Sequence, residues 1–537
     1  REGLWMLLAA VGLLLLIACA NVANLFLVRA TERRKEMAVR TSLGASGRAL
    51  GGQLVTESAL VSGVGAIVGV AAAYLLTGRI AEQASGAFSL PRLESAAVDG
   101  GVLVFAAGLT AGTALFFGLL PAFEAVRSSP ASTLGAEARG PSRQSGRVRD
   151  ALVVLEVAVS VVLLSGAALL ARSFTALLAV DDGIEAEHVL VGRVNLSGTT
   201  YGDAASRSAF FDELLSRIES SPGVAAAGGI TFLPMDGLGA ATSYWPDDRP
   251  PPAPEDRAAA DIRNVTGDYF AAMGIEFLQG RDFADRDHAE APQTIVVNRA
   301  MADRYWPDGT ALGQRLVINW VDEEPWEIVG VVEDVRTQGP QVEPREVVYI
   351  NYARGAFFPW LHLTVRATSD PLRLTQRVRQ EVQALDPSLP LGSVRVMDDI
   401  VGRAVARPRM TSLMMVLFAG LATLLSAVGL YGVLAYTVSR RIREIGVRMA
   451  LGAEPGDVLR LVVRQGSRLV VAGLAGGFVV AIAGARLMRG LLYQIGPADP
   501  TSLVAAGVIL SSVSVAACAV PAWRASRVAP MEALRPD

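Results

Sequence analysis

The sequence predicts a polytopic α-helical membrane protein with two copies of a helical unit and one large α/β domain outside the cytoplasm. Three observations support this fold class. Hydrophobic residues make up 51% of the 537 residues, and the mean hydropathy of +0.38 is high for a soluble chain. Seven apolar segments have roughly the length of a membrane span. One short motif occurs twice at a constant offset (444 − 36 = 408).

The seven apolar segments are interpreted as membrane-spanning helices. A helix needs about 20 apolar residues to cross a hydrocarbon core of about 30 Å. The sixth segment is short, but Arg468 and Arg486 flank it and can extend their charged ends to the interface. The predicted spans are residues 4–28, 54–76, 102–123, 151–171, 410–437, 469–485 and 502–522.

Arginine-rich loops give the orientation of these spans. The loops after the first, third and fifth spans and the tail after the seventh are all rich in arginine. If the spans alternate, these loops share one side, which is the cytoplasmic side by the positive-inside rule. The long segment 172–409 then lies outside. The second copy has one helix before this segment and three after it. The first copy shows only three helices, so we expect its missing helix and outer domain upstream, in a longer parent chain.

These considerations predict five regions along the chain. The two helical units are each closed by a second matching pair of sequences, which begins at Pro121 in the first copy and at Pro521 in the second. The predicted regions are a first permease-like unit (1–135), a cytoplasmic linker (136–150), a helix that opens the second unit (151–171), the extracytoplasmic domain (172–409) and the rest of the second unit (410–537).

The segment 172–409 is predicted to be a mixed α/β domain of one or two compact lobes. β-branched or alternating runs predict strands, and amphipathic spacing predicts helices between them. A Pro- and Asp-rich stretch at 245–254 is expected to form a loop. Strands are expected at 223–230, 294–298, 327–332 and 361–365, and helices at 210–220, 298–305 and 371–385.

Several function classes are disfavoured by composition. The net charge of −3 does not suggest a nucleic-acid surface. The two cysteines lie in apolar runs, so the polar middle of the chain has no disulfide framework. The run 285–288 lacks the pattern of a calcium loop and is interpreted as a solvated turn. His362 is expected on the polar face of a strand. We therefore predict no catalytic residue, no cofactor and no metal.

The repeated motif is the strongest candidate for a functional site. Each copy places Glu four residues before Arg, the favourable order for a helical ion pair, and ends in Gly, which suits the position after a helix. A short helix, a tight turn and a helix that re-enters the membrane are expected. One interpretation is an interfacial helix held by anionic lipid; the other is a docking element for a cytoplasmic partner, which the recurrence of the spacing favours. The candidate docking residues are Glu36, Val39, Arg40, Leu43, Gly44, Glu444, Val447, Arg448, Leu451 and Gly452.

The chain itself has no recognisable motor. A phosphate-binding P-loop requires Gly-Lys-Ser/Thr, and the only lysine is Lys35, between Arg34 and Glu36. Polar groups inside the spans are also few. Glu57 and Glu156 lie near predicted cytoplasmic ends, where each is expected to reach the interface. An ion channel or proton-coupled carrier is therefore disfavoured.

The two copies differ near the inner end of their first shared helix. Asn21 and Asn24 of the first copy are expected to hydrogen-bond between helices. The corresponding residues of the second copy are Gly429 and Gly432, which favour close packing. This difference predicts that the two copies pack asymmetrically.

Several motifs resemble a known family. The segments 20–25, 36–45, 53–58 and 428–436 resemble the FtsX-like permease family, the membrane part of MacB-type ABC systems. The segments 267–270, 280–283, 297–298, 313–316 and 328–335 resemble the MacB-type periplasmic core domain. The duplication is similar to the duplicated orphan permease (ADOP-type) group.

The resemblance implies a multi-pass permease in the bacterial inner membrane, with its large domain on the periplasmic side. A separate cytoplasmic ABC ATPase would drive it, for export or for mechanotransmission to the outer domain, and the two motifs would contact that ATPase. Membrane lipid and a periplasmic partner or substrate are further expected partners. The alternative is a non-transporting membrane scaffold or signalling protein whose outer domain regulates an envelope partner.

Overall fold

The computed structural model divides the chain into two compact units. Arg1–Ala176 together with Pro408–Asp537 form one unit, here called the membrane unit, and Leu177–Arg407 form the other, here called the outer domain. The described residues are 2–32, 47–87, 98–112, 143–196, 200–237, 239–284, 287, 292–309, 311–319, 324–355, 357–451 and 454–526.

The membrane unit consists of helices. Six of its described helices are long and apolar enough to span a membrane. The third predicted span, 102–123, is described only over its first part, as a shorter apolar helix, and its remainder lies outside the described residues. The helices are α1 (Glu2–Glu32), α2 (Gly47–Ala87), α3 (Gly100–Gly112), α4 (Arg143–Leu178), and, after the outer domain, α11 (Ala406–Arg440), α12 (Ile442–Ala450), α13 (Pro455–Ala485) and α14 (Pro500–Ser526). A 3₁₀ helix, Arg486–Leu491, follows α13.

The spans differ in how much of their surface the protein covers. In α4, 61% of the apolar window is buried, whereas in α2 none is. Leu60, Val64 and Ile67 of α2 are all more than 60% exposed, as expected of side chains that face lipid tails. α4 is thus the helix on which the second copy packs.

Small polar side chains join α4 to α11. The Ser160 hydroxyl lies 2.7 Å from the Ser426 hydroxyl and donates to the Ala422 carbonyl at 3.1 Å. The Ser426 hydroxyl in turn donates to the Glu156 carbonyl at 3.0 Å. Because lipid offers no competing partner, such bonds are a common means of joining helices in membranes.

The outer domain contains eleven strands and six α-helices among its described residues. The strands are β1 (Val189–Asn195), β2 (Val224–Ile230), β3 (Ala240–Pro246), β4 (Ala258–Gly267), β5 (Phe277–Gly280), β6 (Thr294–Asn298), β7 (Arg315–Ile318), β8 (Pro325–Val332), β9 (Val347–Asn351), β10 (Trp360–Ala367) and β11 (Gly392–Val396). The helices are α5 (Ala204–Glu219), α6 (Tyr269–Met273), α7 (Arg299–Tyr305), α8 (Tyr352–Gly355), α9 (Thr375–Leu385) and α10 (Met397–Ala404), with 3₁₀ helices at Pro254–Asp256 and Pro371–Leu374.

All eleven strands belong to one sheet. Its order is β11-β1-β10-β2-β4-β3-β7-β8-β6-β9, and β5 pairs with β8. β4 also pairs in parallel with β9, so β4, β3, β7, β8, β6 and β9 close into a ring. β1 and β10 pair antiparallel from Val189↔Arg366 to Asn195↔Trp360. The predicted mixed α/β class is confirmed.

Two of the three buried clusters in this domain show how its layers pack. α5 and α9 pack on the β1, β10 and β2 side through Phe211, Leu214 and Val378, each at most 2% exposed. A second cluster fills the ring and includes Trp326 and Ile328. The expected strands are found within about two residues of their predicted bounds. The helix expected at 210–220 begins earlier, at Ala204, and the one expected at 371–385 is divided into a 3₁₀ helix and α9.

One local prediction in this domain is wrong. The stretch 245–254 was expected to be a loop throughout, but Trp245 and Pro246 complete β3. Trp245 is 5% exposed, and the Arg257 guanidinium lies 4.5 Å from its ring centroid. Burial of a large aromatic residue therefore outweighed the local turn composition.

One polar residue of this domain, Asp287, is more buried than the sequence suggested. Asp287 was expected in a solvated turn, yet it is 4% exposed and accepts two hydrogen bonds from Arg281, at 2.6 and 3.1 Å. Residues 285, 286 and 288 lie outside the described residues. His362 lies on the face opposite the buried Leu361 and Leu363, as expected; its Nδ1 lies 3.0 Å from the Thr231 carbonyl, and partial burial lowers the pKa of the ring.

Candidate cytoplasmic docking site

The second copy of the motif forms the helix α12, directly after the long helix α11. Arg441 separates the two helices, and its backbone N–H donates to the Thr437 and Val438 carbonyls at 3.3 and 3.0 Å. The Arg448 guanidinium donates to the Glu444 carboxylate at 2.6 Å, which confirms the predicted helical ion pair. Both side chains are about half exposed, so the pair remains accessible to a partner.

One face of α12 anchors the helix to the membrane unit. Ile445 is 3% exposed and belongs to a buried cluster that includes Leu434 and Val438 of α11 and Val462 of α13. Met449, one helical turn later, packs against the same cluster. This apolar face therefore fixes α12 against α11 and α13.

The opposite face of α12 is exposed and carries the remaining described motif residues. Val447 is 44% exposed and Leu451, just past the end of the helix, is 83% exposed. Glu444 and Arg448 lie beside them at helical spacing. The structure thus brings together four of the predicted docking residues of the second copy, on a surface that combines two apolar side chains with an ion pair.

The helix α13 begins with well-formed capping. Glu454 is the N-cap residue, and its side chain and that of Asp457 form a reciprocal capping box. Pro455 occupies the first helical position, as predicted, where its missing N–H costs nothing. Gly452 lies outside the described residues.

The first copy of the motif cannot be placed in the same way. Its predicted docking residues Glu36, Val39, Arg40, Leu43 and Gly44 all lie outside the described residues. Their role rests on their sequence match to the second copy.

Exposed arginines flank α12 along the chain. Arg440 and Arg441 lie before it, and Arg460 and Arg464 lie on the first turns of α13. Arg440 also stacks over the Tyr436 ring at 5.3 Å. The segments on either side of α12 in the sequence are therefore basic.

Sequence reasoning misplaced one carboxyl group of the membrane unit. Glu156 was expected to reach the interface, but its side chain is fully buried, and neither carboxyl oxygen has a hydrogen-bond partner within the described residues. A Cβ atom built on Gly429 would lie 2.1 Å from Glu156 Oε2 and 2.4 Å from Asn21 Oδ1. The sequence does contain a signal for this burial. The second copy has Gly429 where the first copy has Asn21, and a glycine at such a position allows two helices to pack closely.

Asn21 and Asn24 differ in their hydrogen bonding. The Asn21 amide donates to the Leu425 carbonyl of α11 at 2.9 Å, which confirms the expected bond between helices. Asn24 is 5% exposed, and its amide has no hydrogen-bond partner within the described residues.

The outer domain contains a weaker candidate for a functional residue, Asp282. Burial raises the pKa of the Asp282 carboxyl to about 6, and the nearby Asp268 adds to the shift. A pKa raised by burial shows that the surroundings disfavour the charged form of the carboxyl. Groups with such shifted pKa values are enriched at functional sites. Among the described residues, however, no group of three His, Cys, Asp or Glu side chains is placed to hold a metal ion.

Comparison with known families agrees with this arrangement. The FtsX-like permease C-terminal family matches residues 8–130 and again 416–530. The MacB-like periplasmic core domain family matches residues 151–385. The first family therefore covers both helical copies, and the second covers α4 and most of the outer domain.

Individual relatives of this chain are described as permeases of ABC systems. The macrolide export ATP-binding/permease protein MacB 1/2 of Paracoccus denitrificans is 26% identical over 300 residues, which cover 52% of this chain and 42% of that protein. The uncharacterized ABC transporter permease YknZ of Bacillus subtilis is 24% identical over 290 residues, covering 52% of this chain and 71% of that one. The chain thus spans less than half of the Paracoccus protein.

One solved structure is similar to part of this chain. The periplasmic region of MacB from Actinobacillus actinomycetemcomitans is 15% identical, covers 42% of this chain and 95% of that chain, and has a TM-score of 0.29.

The family matches agree with the membrane-spanning helices found in the structure. Apolar helices and a domain of the periplasmic core type indicate a multi-pass protein of the inner membrane with its large domain outside the cytoplasm. The chain belongs to the family of MacB- and YknZ-like ABC transporter permeases, with FtsX-like helical units and a MacB-like periplasmic core domain.

Proposed function

We propose that this chain is the non-enzymatic permease subunit of an ABC system, and that a separate cytoplasmic ATPase docks on the exposed face of α12 and on the matching motif of the first copy. ATP hydrolysis in that partner would move the membrane helices and, through them, the outer domain. The work performed would be export or mechanical action in the envelope.

The exposed apolar pair Val447 and Leu451 is the observation that carries this proposal. The motif uses Ile445 and Met449 for anchoring and exposes the other two apolar residues beside an ion pair. An apolar helix face with flanking charges is a common surface for docking in a groove. The Paracoccus relative is named as both ATP-binding protein and permease, whereas this sequence contains no P-loop.

The helix α11 provides the route for transmission. It has 35 residues and is therefore about 50 Å long at about 1.5 Å per residue. One end continues from the outer domain and the other joins α12 through Arg441. A displacement imposed on α12 would reach the outer domain through one continuous helix.

Site-specific crosslinking tests the docking surface. A photoreactive amino acid replaces Leu451 in the full chain in native membranes, and crosslinked proteins are probed with azido-ATP. Leu487, which is 89% exposed compared with 83% for Leu451, provides a matched control outside the motif. We expect an azido-ATP-labelled protein on Leu451 and none on Leu487. Capture of lipid alone at Leu451, or equal labelling at both positions, would contradict the proposal.

A further inference from the structure

The helices α2 and α3 of the first copy enclose an apolar groove, here called the α2–α3 groove. Its volume is about 820 Å³, and its lining side chains are apolar except for Tyr74. Ala66 and Val70 line it from α2, and Ala107 lines it from α3. The lining residues of α2 belong to the membrane span Thr56–Arg79, so the groove lies at the depth of the hydrocarbon core.

The α2–α3 groove has the length of one membrane leaflet. The arginine-rich loop before α2 is cytoplasmic, so α2 runs outward and Leu75 lies near the outer interface. The lining of α2 extends from Ala66, near the middle of its span, to Leu75. These residue steps (75 − 66 = 9) cover about 14 Å at about 1.5 Å per residue, roughly half of the ~30 Å hydrocarbon core. The groove therefore matches the depth of the acyl chains of the outer leaflet alone.

In the second copy, a phenyl ring occupies the equivalent place. The motif offset of 408 relates Val70 to Phe478 of α13, and the offset of the closing pair (521 − 121 = 400) relates Ala107 to Gly507 of α14. A Cβ atom built on Gly507 would lie 3.1 Å from Phe478 Cζ, so this ring packs directly against α14. The smaller valine at the same position of the first copy leaves space between α2 and α3. The groove is thus a feature that the first copy has acquired in place of direct helix packing.

A cation lies at the outer end of the α2–α3 groove. Arg79 is the last residue of the α2 span, one helical turn beyond Leu75, and its side chain is exposed. It forms no ion pair with another of the described residues. A guanidinium group can bind a phosphate through two parallel N–H donors, and lipid phosphates lie just outside the hydrocarbon core. Arg79 is therefore placed to bind the phosphate of a lipid whose acyl chains enter the groove.

We propose that the α2–α3 groove binds one glycerophospholipid of the outer leaflet, with its acyl part between the two helices and its phosphate on Arg79. The rival occupant is an apolar helix of a second copy of this chain. Such a helix would fill the groove but would leave the guanidinium of Arg79 without an anion, whereas a phospholipid supplies both the apolar chain and the anion. The observations therefore favour the lipid. This site is separate from the docking surface of α12.

Native mass spectrometry of the full chain tests this site. The chain is purified in detergent, stripped of lipid and titrated with phosphatidylglycerol. Val70→Phe places in the groove the ring that the second copy has, so it should weaken the first binding step several-fold. Val68→Phe is the matched control, because Val68 is 63% exposed, lies on the opposite side of the same helix and does not line the groove. We expect this control to bind phosphatidylglycerol as the parent chain does.

A second variant tests the phosphate contact independently of the shape of the groove. Arg79→Gln changes an exposed side chain, so the packing of the helices is kept. We expect it to bind phosphatidylglycerol several-fold more weakly and to bind diacylglycerol, which has the acyl chains but no phosphate, as the parent chain does. Equal binding by the Val70 and Val68 variants, undiminished phosphatidylglycerol binding by the Arg79 variant, or a two-chain species in place of the lipid adduct would overturn the proposal. None of these results bears on ATPase capture at Leu451.

Discussion

The outer domain and the membrane unit treat buried charge in opposite ways. In the outer domain, Asp261 is paired with Arg263 at 3.2 Å, and Asp287 is paired with Arg281 at 2.6 Å. In the membrane unit, the carboxyl of Glu156 is fully buried without a hydrogen-bond partner among the described residues. In these two pairs of the outer domain, an arginine therefore compensates the charge of each buried carboxylate. The membrane unit keeps an uncompensated polar group at a helix crossing, where packing is expected to change.

The largest expected effect is the loss of a buried pair in the outer domain. Burial alone would raise the pKa of Asp287, but its bonds with Arg281 and the Ala284 N–H hold the pKa below the usual value. Asp287→Ala should cost about 3 kcal/mol of unfolding free energy, because it leaves Arg281 without its partner. Protection of outer-domain amides against hydrogen exchange in the full chain measures this.

Asp248→Ala is the control for that comparison. Asp248 pairs with Arg249 at 3.7 Å, and both side chains are more than half exposed. The exchange rates should therefore remain as in the parent chain. Equal protection in the Asp287 and Asp248 variants would contradict the view that the outer domain depends on its buried pairs.

The next effect has the opposite sign and lies in the membrane unit. Glu156→Met keeps the length of the side chain and removes the buried carboxyl, so it should stabilise the unit by about 1–2 kcal/mol. The melting temperature of the detergent-solubilised chain measures this, with Glu156→Gln as the polar comparison. A lower melting temperature for the Met variant would show that the carboxyl has a stabilising partner.

A smaller effect is expected from pH in the outer domain. Burial raises the pKa of Asp282 to about 6, above its value in an unfolded chain. The protonated form therefore favours the folded state, so its contribution is fully present below about pH 4. It should be lost as the pH rises through 6. Asp282→Asn should flatten the stability profile in this window, while Asp248→Asn should leave it unchanged. Identical profiles for all three chains would refute the assignment.

The smallest effect on stability is expected at the docking surface. Glu444→Gln should change the unfolding free energy by less than ~0.5 kcal/mol, because the Glu444–Arg448 pair is solvent-exposed. The same variant should reduce photocapture of the nucleotide-binding partner at Leu451. Unchanged capture would show that the ion pair plays no part in docking.

Much of the fold could be predicted from the sequence because the signals are long or strongly periodic. The spans follow from apolar length, and strands such as Thr294–Asn298 follow from β-branched runs. The helical ion pair of α12 follows from the spacing of Glu444 and Arg448. These features depend on local sequence alone.

The remaining features depend on contacts between distant residues. The burial of Glu156 arises because Gly429, 273 positions later (429 − 156), leaves room for it. Asp287 is buried because Arg281 and Thr294 surround its carboxyl. The ring closure through β4 and β9 joins strands that many residues separate. Periodicity within one element carries no information on such pairings.

The mass of the intact complex tests the central claim most directly. The full chain is purified with the protein captured through Leu451 and measured by native mass spectrometry. A mass equal to the permease chain plus at least one nucleotide-binding subunit is the predicted result. A captured species without a nucleotide-binding subunit would contradict the account in which the exposed face of α12 is the docking surface.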